Sequence, residues 1–171
     1  MSEEAAWCLS WRGDARARRL ADRHYSRQHR GAAQFVPPGR CLVLLTPCAR
    51  ALWVTSWPYA AYVKHAWAGA WVCTLFRNEG AGLSSALISA AVAATRALWE
   101  PPPLGIVTFI DPGKVRHKRD PGRCFLRAGW ERVGETRGGL LVLQLRPAAM
   151  PPPAAAGARG GQLRLWTPEE P

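Results

Sequence analysis

The sequence predicts an α/β fold, a single domain with a central mixed sheet flanked by helices, and three observations lead there. Short, nearly uncharged runs of branched and aromatic residues recur along the chain, as strands buried against a core require. One of them, residues 70–76, leads through a glycine loop into an Ala- and Leu-rich stretch, 83–99, with no Gly or Pro inside it and length for about four helical turns. With 171 residues the chain is also large enough to bury one real core.

Taken in order, residues 7–11 fit a short first strand. Asp14 suits the cap of a helix running through Gln28, with Ala17, Leu20 and Ala21 on its apolar side and Arg16, Arg18, Arg19, Arg23 and Arg27 making its surface basic. Gly31 to Gly39, with Pro37-Pro38, is a loop. Residues 41–45 and 51–57 pair as strands through a turn at Thr46-Pro47-Cys48-Ala49, and 58–67 is less regular. The main strand then meets Arg77-Asn78-Glu79-Gly80-Ala81-Gly82, whose two glycines let the backbone turn tightly. Ser84 or Ser85 suits the N-cap of the next helix. Free N–H groups and the positive end of the helix dipole would converge there as an anion cradle, although an ordinary strand-to-helix turn has the same composition.

Pro101-Pro102-Pro103 stops that helix. Residues 105–111 form a second apolar strand with Asp111 at its carboxyl end, followed by a basic loop of Lys114, Arg116, His117, Lys118 and Arg119. Residues 121–128 suit a short helix with Gly129 in C-cap position, and 130–136 and 139–145 are the closing strands. The domain is expected over residues 1–146. Residues 147–171, rich in Pro, Ala and Gly with little to bury, read as a disordered tail.

Lys and Arg number 23 against 12 Asp and Glu, a net charge of +11, and arginine supplies nearly all of it. Guanidinium forks grip phosphates with two bonds, so a polyanionic partner is expected, although the arginine bias of a GC-rich genome gives the same count. Nine tryptophans offer core volume and also rings on which bases stack. Five cysteines without a close pair, and the acidic start Met1-Ser2-Glu3-Glu4 where a secretory leader is basic, point to a reducing compartment, the cytoplasm. No run is long enough to span a membrane, which sets a membrane partner aside.

The order strand, strand, strand, glycine loop, helix, strand, short helix, Gly-Trp, strand resembles the GNAT acyltransferase superfamily. Arg77-Asn78-Glu79-Gly80-Ala81-Gly82 matches that family's R/Q-x-x-G-x-G/A loop, and Cys124-Phe125-Leu126-Arg127-Ala128-Gly129-Trp130-Glu131 is similar to its fourth-helix signature. The resemblance covers residues 7–146 and implies a GNAT-like fold whose loop binds the pyrophosphate of acyl-coenzyme A. Within the superfamily, His24-Tyr25-Ser26, Phe76-Arg77-Asn78-Glu79, Leu83-Ser84-Ser85, Thr108-Phe109-Ile110-Asp111 and Arg119-Asp120-Pro121-Gly122 together resemble the Mom group. These GNAT-like proteins of Mu-type phages and prophages convert adenine in DNA to its N6-carbamoylmethyl form, which shields the DNA from restriction enzymes. The resemblance implies a transferase acting on double-stranded DNA with acyl-CoA or a related donor.

In that reading Arg77 grips a phosphate or carboxylate, and Gly80 and Gly82 supply the N–H cradle. Ser84 or Ser85 donates to the donor's phosphates or simply caps the helix. His24 has a pKa suited to proton transfer near neutral pH, and Asp111 stands where open α/β sheets bind ligands. His24, Tyr25 and Asp111 are expected as one cluster near the Gly80–Gly82 loop, either an acid–base set or an N/O site for a divalent metal. Arg16, Arg19, Arg23, Arg27, Lys114, Arg116, Lys118 and Arg119 would contact the DNA backbone. The target adenine has to leave the duplex, and Trp57 or Trp67 would stack on it. Two other functions fit the same residues: a conventional acyl-CoA-dependent N-acetyltransferase acting on a protein amine or small molecule, and a non-catalytic nucleic-acid-binding module.

Overall fold

Alternation along two neighbouring strands sends Leu42, Leu44, Ala51 and Trp53 into one hydrophobic cluster and Val43, Leu45, Leu52 and Val54 into another, so the sheet between them is buried on both faces. The computed structural model describes residues 5–115 and 120–158. Its strands are β1 (Cys8–Leu9), β2 (Arg40–Leu45), β3 (Ala51–Trp57), β4 (Trp71–Asn78), β5 (Ile106–Ile110), β6 (Glu131–Glu135) and β7 (Leu141–Leu145). They form one seven-stranded mixed sheet in the order β1-β2-β3-β4-β5-β7-β6. Three helices flank it, α1 (Ala15–Asp22), α2 (Ser84–Leu98) and α3 (Arg123–Arg127), in a single-domain α/β architecture compatible with a GNAT-like fold.

β4 and β5 run parallel and every other pairing is antiparallel, so the connection between these two must cross over, and α2 makes that crossing. α2 packs Leu87, Ile88, Ala91 and Val92 onto the face that also takes Phe125 of α3. α1 presses Ala17, Leu20 and Ala21 onto the opposite face, together with Phe35 and Val36. A buried polar chain pins α2 to the sheet: Trp53 Nε1 donates to Thr55 Oγ1 at 2.6 Å, Thr55 and Thr95 share a hydroxyl bond at 3.0 Å, and Thr95 donates to the Ala91 carbonyl at 2.8 Å. Among the described residues no helix is long and apolar enough to cross a membrane.

Three local expectations need correcting. The first helix was expected to reach Gln28 and stops at Asp22. Asp22 becomes the hub of a closed loop, accepting from Arg27 Nε at 2.9 Å and from the Gly31 amide at 3.2 Å, while Arg27 also donates to the carbonyls of Ala32 and Gln34. Neither Ser84 nor Ser85 is the N-cap of α2: Leu83 holds that position and no side chain caps the helix. The segment after residue 146, expected as a tail, is docked as far as Gly157. Met150 is buried, Arg96 Nη1 donates to the Pro151 carbonyl at 3.0 Å, and the Ala154 amide donates to the Ala93 carbonyl at 3.1 Å. Gly157 then donates to the Trp7 carbonyl at 2.8 Å and accepts from the Leu9 amide at 2.9 Å, pairing with the edge strand β1. Residues 159–171 lie outside the described residues.

Candidate active site

β4 and β5 pair only at Trp71–Ile106, Val72–Val107 and Cys73–Thr108, although β4 continues to Asn78 and β5 to Ile110. The divergence coincides with an extra residue in β4. Val54 of β3 faces Leu75 and Thr55 faces Cys73, which leaves Thr74 without a counterpart. A bulge of this kind bends the strand and raises its twist, and here a wedge opens between the ends of β4 and β5. Because α1 stops at Asp22, the next turn delivers His24 and Tyr25 into that wedge. Their rings stack with centroids 4.5 Å apart, the His24 ring facing the backbone of Phe76 and the Tyr25 phenol that of Asp111.

Three spaces meet at the wedge. A cavity of about 170 Å³ lies between His24, Tyr25, Asn78, Ser84 and Phe125. It shares Tyr25, Ser26, Cys73, Thr74 and Phe109 with a cleft of about 450 Å³ that also holds Asp111 and Lys114. It shares Ser84 and Cys124 with a cleft of about 610 Å³ bounded by Gly82, Leu83, Ser85, Asp120, Arg123 and Arg127. The three spaces therefore adjoin through shared lining residues: an arginine-flanked cleft, a smaller throat, and a second cleft, with Tyr25 lining the last two.

The glycine loop is arranged differently from the expected cradle. The carboxamide oxygen of Asn78 accepts the amides of Gly80 at 3.2 Å and Ala81 at 2.9 Å, so the N–H of Gly80 is turned inward. Asn78 Nδ2 donates to the Gly82 carbonyl at 2.8 Å and to Ser84 Oγ at 2.9 Å, closing the loop on itself. Gly80 can make this turn because its φ is +88°. What remains open to an anion is the uncapped N-terminus of α2 beyond Gly82, beside Arg123 and Arg127, whose side chains make no hydrogen bond or ion pair among the described residues.

Arg77 is engaged as well. Its Nη1 donates to the Arg23 carbonyl at 2.7 Å and its Nε to Glu79 at 2.7 Å, while Arg23 holds both oxygens of Glu79 at 2.6 and 2.7 Å. Arg77 thus fastens the end of β4 to the residue before His24 and lines none of the three spaces. The bond from Arg23, backed by Arg77, lowers the Glu79 pKa to about 2.

His24, Tyr25 and Asp111 come together through Tyr25, which lines both the throat and the Asp111 cleft. Burial, aided by the nearby Arg77 charge, lowers the His24 pKa to about 4, so the imidazole is neutral at neutral pH. Its Nδ1 accepts the Ser26 amide at 3.2 Å and contacts the Ser26 hydroxyl at 2.7 Å, an arrangement that puts the proton on Nε2. Burial also raises the Tyr25 pKa, with the Asp111 charge adding to it, and keeps the phenol protonated. Asp111 Oδ1 accepts the Gly113 amide at 2.9 Å. One His24 nitrogen and one Asp111 oxygen accept backbone amides. No three His, Cys, Asp or Glu side chains converge as ligands among the described residues.

Of the eight basic residues expected to contact DNA, Arg16, Arg23 and Arg27 are paired with Asp14, Glu79 and Asp22. Arg19 and Lys114 are exposed and make no ion pair among the described residues. Arg116, Lys118 and Arg119 lie outside the described residues. Trp57 does not reach the wedge: it faces Arg40 at the opposite end of the sheet. Trp67 covers Phe109, with centroids 6.3 Å apart, and so stands behind one wall of the wedge.

Sequence reasoning missed Asn78, Arg123 and Cys124 as site residues. For Asn78 the signal was its position two residues ahead of a glycine, where an Asx side chain caps a turn; for Arg123 it was the four-residue spacing from Arg127, which puts both on one helix face. Comparison with known protein families, with curated proteins and with solved structures finds no match to this chain.

Proposed function

We propose that the chain is a group transferase of the Mom type, modifying the exocyclic amine of adenine in DNA with an anionic donor related to acyl-CoA, on a GNAT-like scaffold. The observation that carries this reading is the set of three adjoining spaces at the wedge, an arginine-flanked cleft on one side of the throat and a Tyr25–Asp111 cleft on the other. The donor mouth fits a diphosphate, because uncapped amides at the start of α2 and the guanidinium groups of Arg123 and Arg127, unpaired among the described residues, supply bonds and charge together. The donor brings an activated carbon with a leaving group.

Adenine N6 is a weak nucleophile whose proton must depart as the new N–C bond forms. The Asp111 carboxylate, on the acceptor side, receives that proton, and the Tyr25 phenol, in the throat, donates its hydrogen bond to the departing group. Neutral His24 stacks on Tyr25 and holds it between β4 and β5. Charge supports DNA as the acceptor: the chain carries a net charge of +11, and Arg19 and Lys114 are exposed and make no ion pair among the described residues. Nucleoside mass spectrometry of plasmid DNA from expressing cells tests the reading. A new adenine nucleoside with the wild type, absent with Tyr25→Phe, supports it. Unmodified DNA from cells that make folded wild-type protein overturns it.

A further inference from the structure

At the end of the sheet away from the wedge, β2 begins and β3 ends with Arg40 opposite Trp57. The Arg40 guanidinium lies 4.1 Å from the Trp57 ring centroid and 5.7 Å from that of Tyr59. Trp57 is fixed from behind by Trp71 and Trp99, with centroids 6.0 and 5.7 Å away, and its indole N–H donates to the Gly69 carbonyl at 3.2 Å. Beyond it the chain makes a single 3-10 turn, Ala60–Tyr62, none of whose residues is buried. Tyr59 is 63% exposed and Tyr62 84% exposed, far more than such rings show when their only role is packing. Lys64 follows, exposed and unpaired among the described residues.

The charge of this region has one sign along the sequence. No Asp or Glu occurs from residue 23 to 78, and Arg40 makes a cation–π contact in place of an ion pair. Glu100, one residue past Trp99, forms no ion pair among the described residues. Two exposed rings, Tyr59 and Tyr62, beside cations that make no ion pair among the described residues suit a strand whose bases stack on them while its phosphates meet Arg40 and Lys64.

We propose that Arg40, Trp57, Tyr59, Tyr62 and Lys64 form a docking surface for unpaired nucleic-acid strand. It rests on the reading of DNA as the partner but on none of the transfer chemistry. From Ala51, beside the wedge, to Trp57 the strand rises about 20 Å, so the surface would hold nucleic acid flanking the reacting base.

Fluorescence anisotropy of the full chain with a labelled oligothymidine and with a duplex of equal length tests this. The Tyr59→Ala/Tyr62→Ala double variant should bind oligothymidine about tenfold or more weakly, with Tyr59→Phe/Tyr62→Phe close to wild type, since each lost stack has an effect of that order. Both side chains are exposed, so the melting curve should not move. Equal oligothymidine affinity for the Ala variant and the wild type overturns the surface and leaves DNA modification standing. A wild-type dimer that the Ala variant dissociates also overturns it, in favour of a contact between copies. Absence of any nucleic-acid binding by the wild type removes both readings.

Discussion

β4 begins and ends in different surroundings. At its start Trp71 is fully buried, paired with Ile106 of β5 and enclosed by Trp57 and Trp99, and the next residue, Val72, has strands on both sides. At its end, past Thr74, it keeps β3 on one side and has lost β5 on the other. The apolar end is closed by ring packing. The open end is lined by a neutral imidazole, a phenol, a carboxylate and an asparagine, groups that would be costly to enclose without partners. One unmatched residue in a strand separates a part of the fold that supplies stability from a part that supplies chemistry.

The largest effect should come from Tyr25→Phe. Removing one hydroxyl at the throat should lower modification of plasmid DNA by about a hundredfold or more, while the melting curve stays close to wild type. Comparable activity in that variant would detach the chemistry from the wedge. At the other end, Trp71→Ala should cost about 3–5 kcal/mol of stability in urea unfolding, because it empties a fully enclosed volume. A cost under about 1 kcal/mol would mean that the closed end is not the support described here.

Asn78→Ala should cost less, about 1–2 kcal/mol, by freeing the Gly80 and Ala81 amides and releasing Gly82 and Ser84. Thermal shift with coenzyme A as the probe should also show weaker ligand stabilisation than in the wild type; an unchanged shift would argue that the loop shape does not matter to the donor mouth. The smallest effects separate two acid windows. The folded pKa of Glu79 is about 2 against an ordinary 4.5, so its stabilising contribution is complete above 4.5 and is lost as pH falls toward 2. His24, at about 4 against 6.5, resists protonation in the folded chain, so stability declines as pH falls from 6.5 to about 4. Glu79→Gln should flatten the lower part of the stability–pH curve and His24→Gln the upper part. A curve that loses both parts in one variant would mean that the two groups titrate as a unit.

What could be read from the sequence follows the range of the forces involved. α2 was legible because propensity acts within a run, and Leu87, Ile88, Ala91 and Val92 carry their own periodicity. His24, Tyr25 and Asp111 were legible as chemistry, since few side chains titrate or donate in the needed way. The wedge that joins them was not, because Thr74 is a bulge only by virtue of the register of β4 against β3. Arg77 and Gly80 were assigned to a ligand on residue type, whereas Glu79, Arg23 and Asn78, close in space, occupy them. The early end of α1 depends on Asp22 closing a loop nine residues long onto Gly31, a contact that no local pattern announces.

The docked segment after residue 146 has a consequence for how the molecule comes into being. β1 is an outer strand of two residues, and an outer strand with vacant amides is a template for sticking to other chains. Gly157 occupies that rim by giving and taking one bond on each side of Cys8. β1 therefore waits for a residue made nearly 150 positions later before its rim is sealed. Until then the nascent chain carries an adhesive border, and shortening the protein before Gly157 should leave that border permanently open to aggregation.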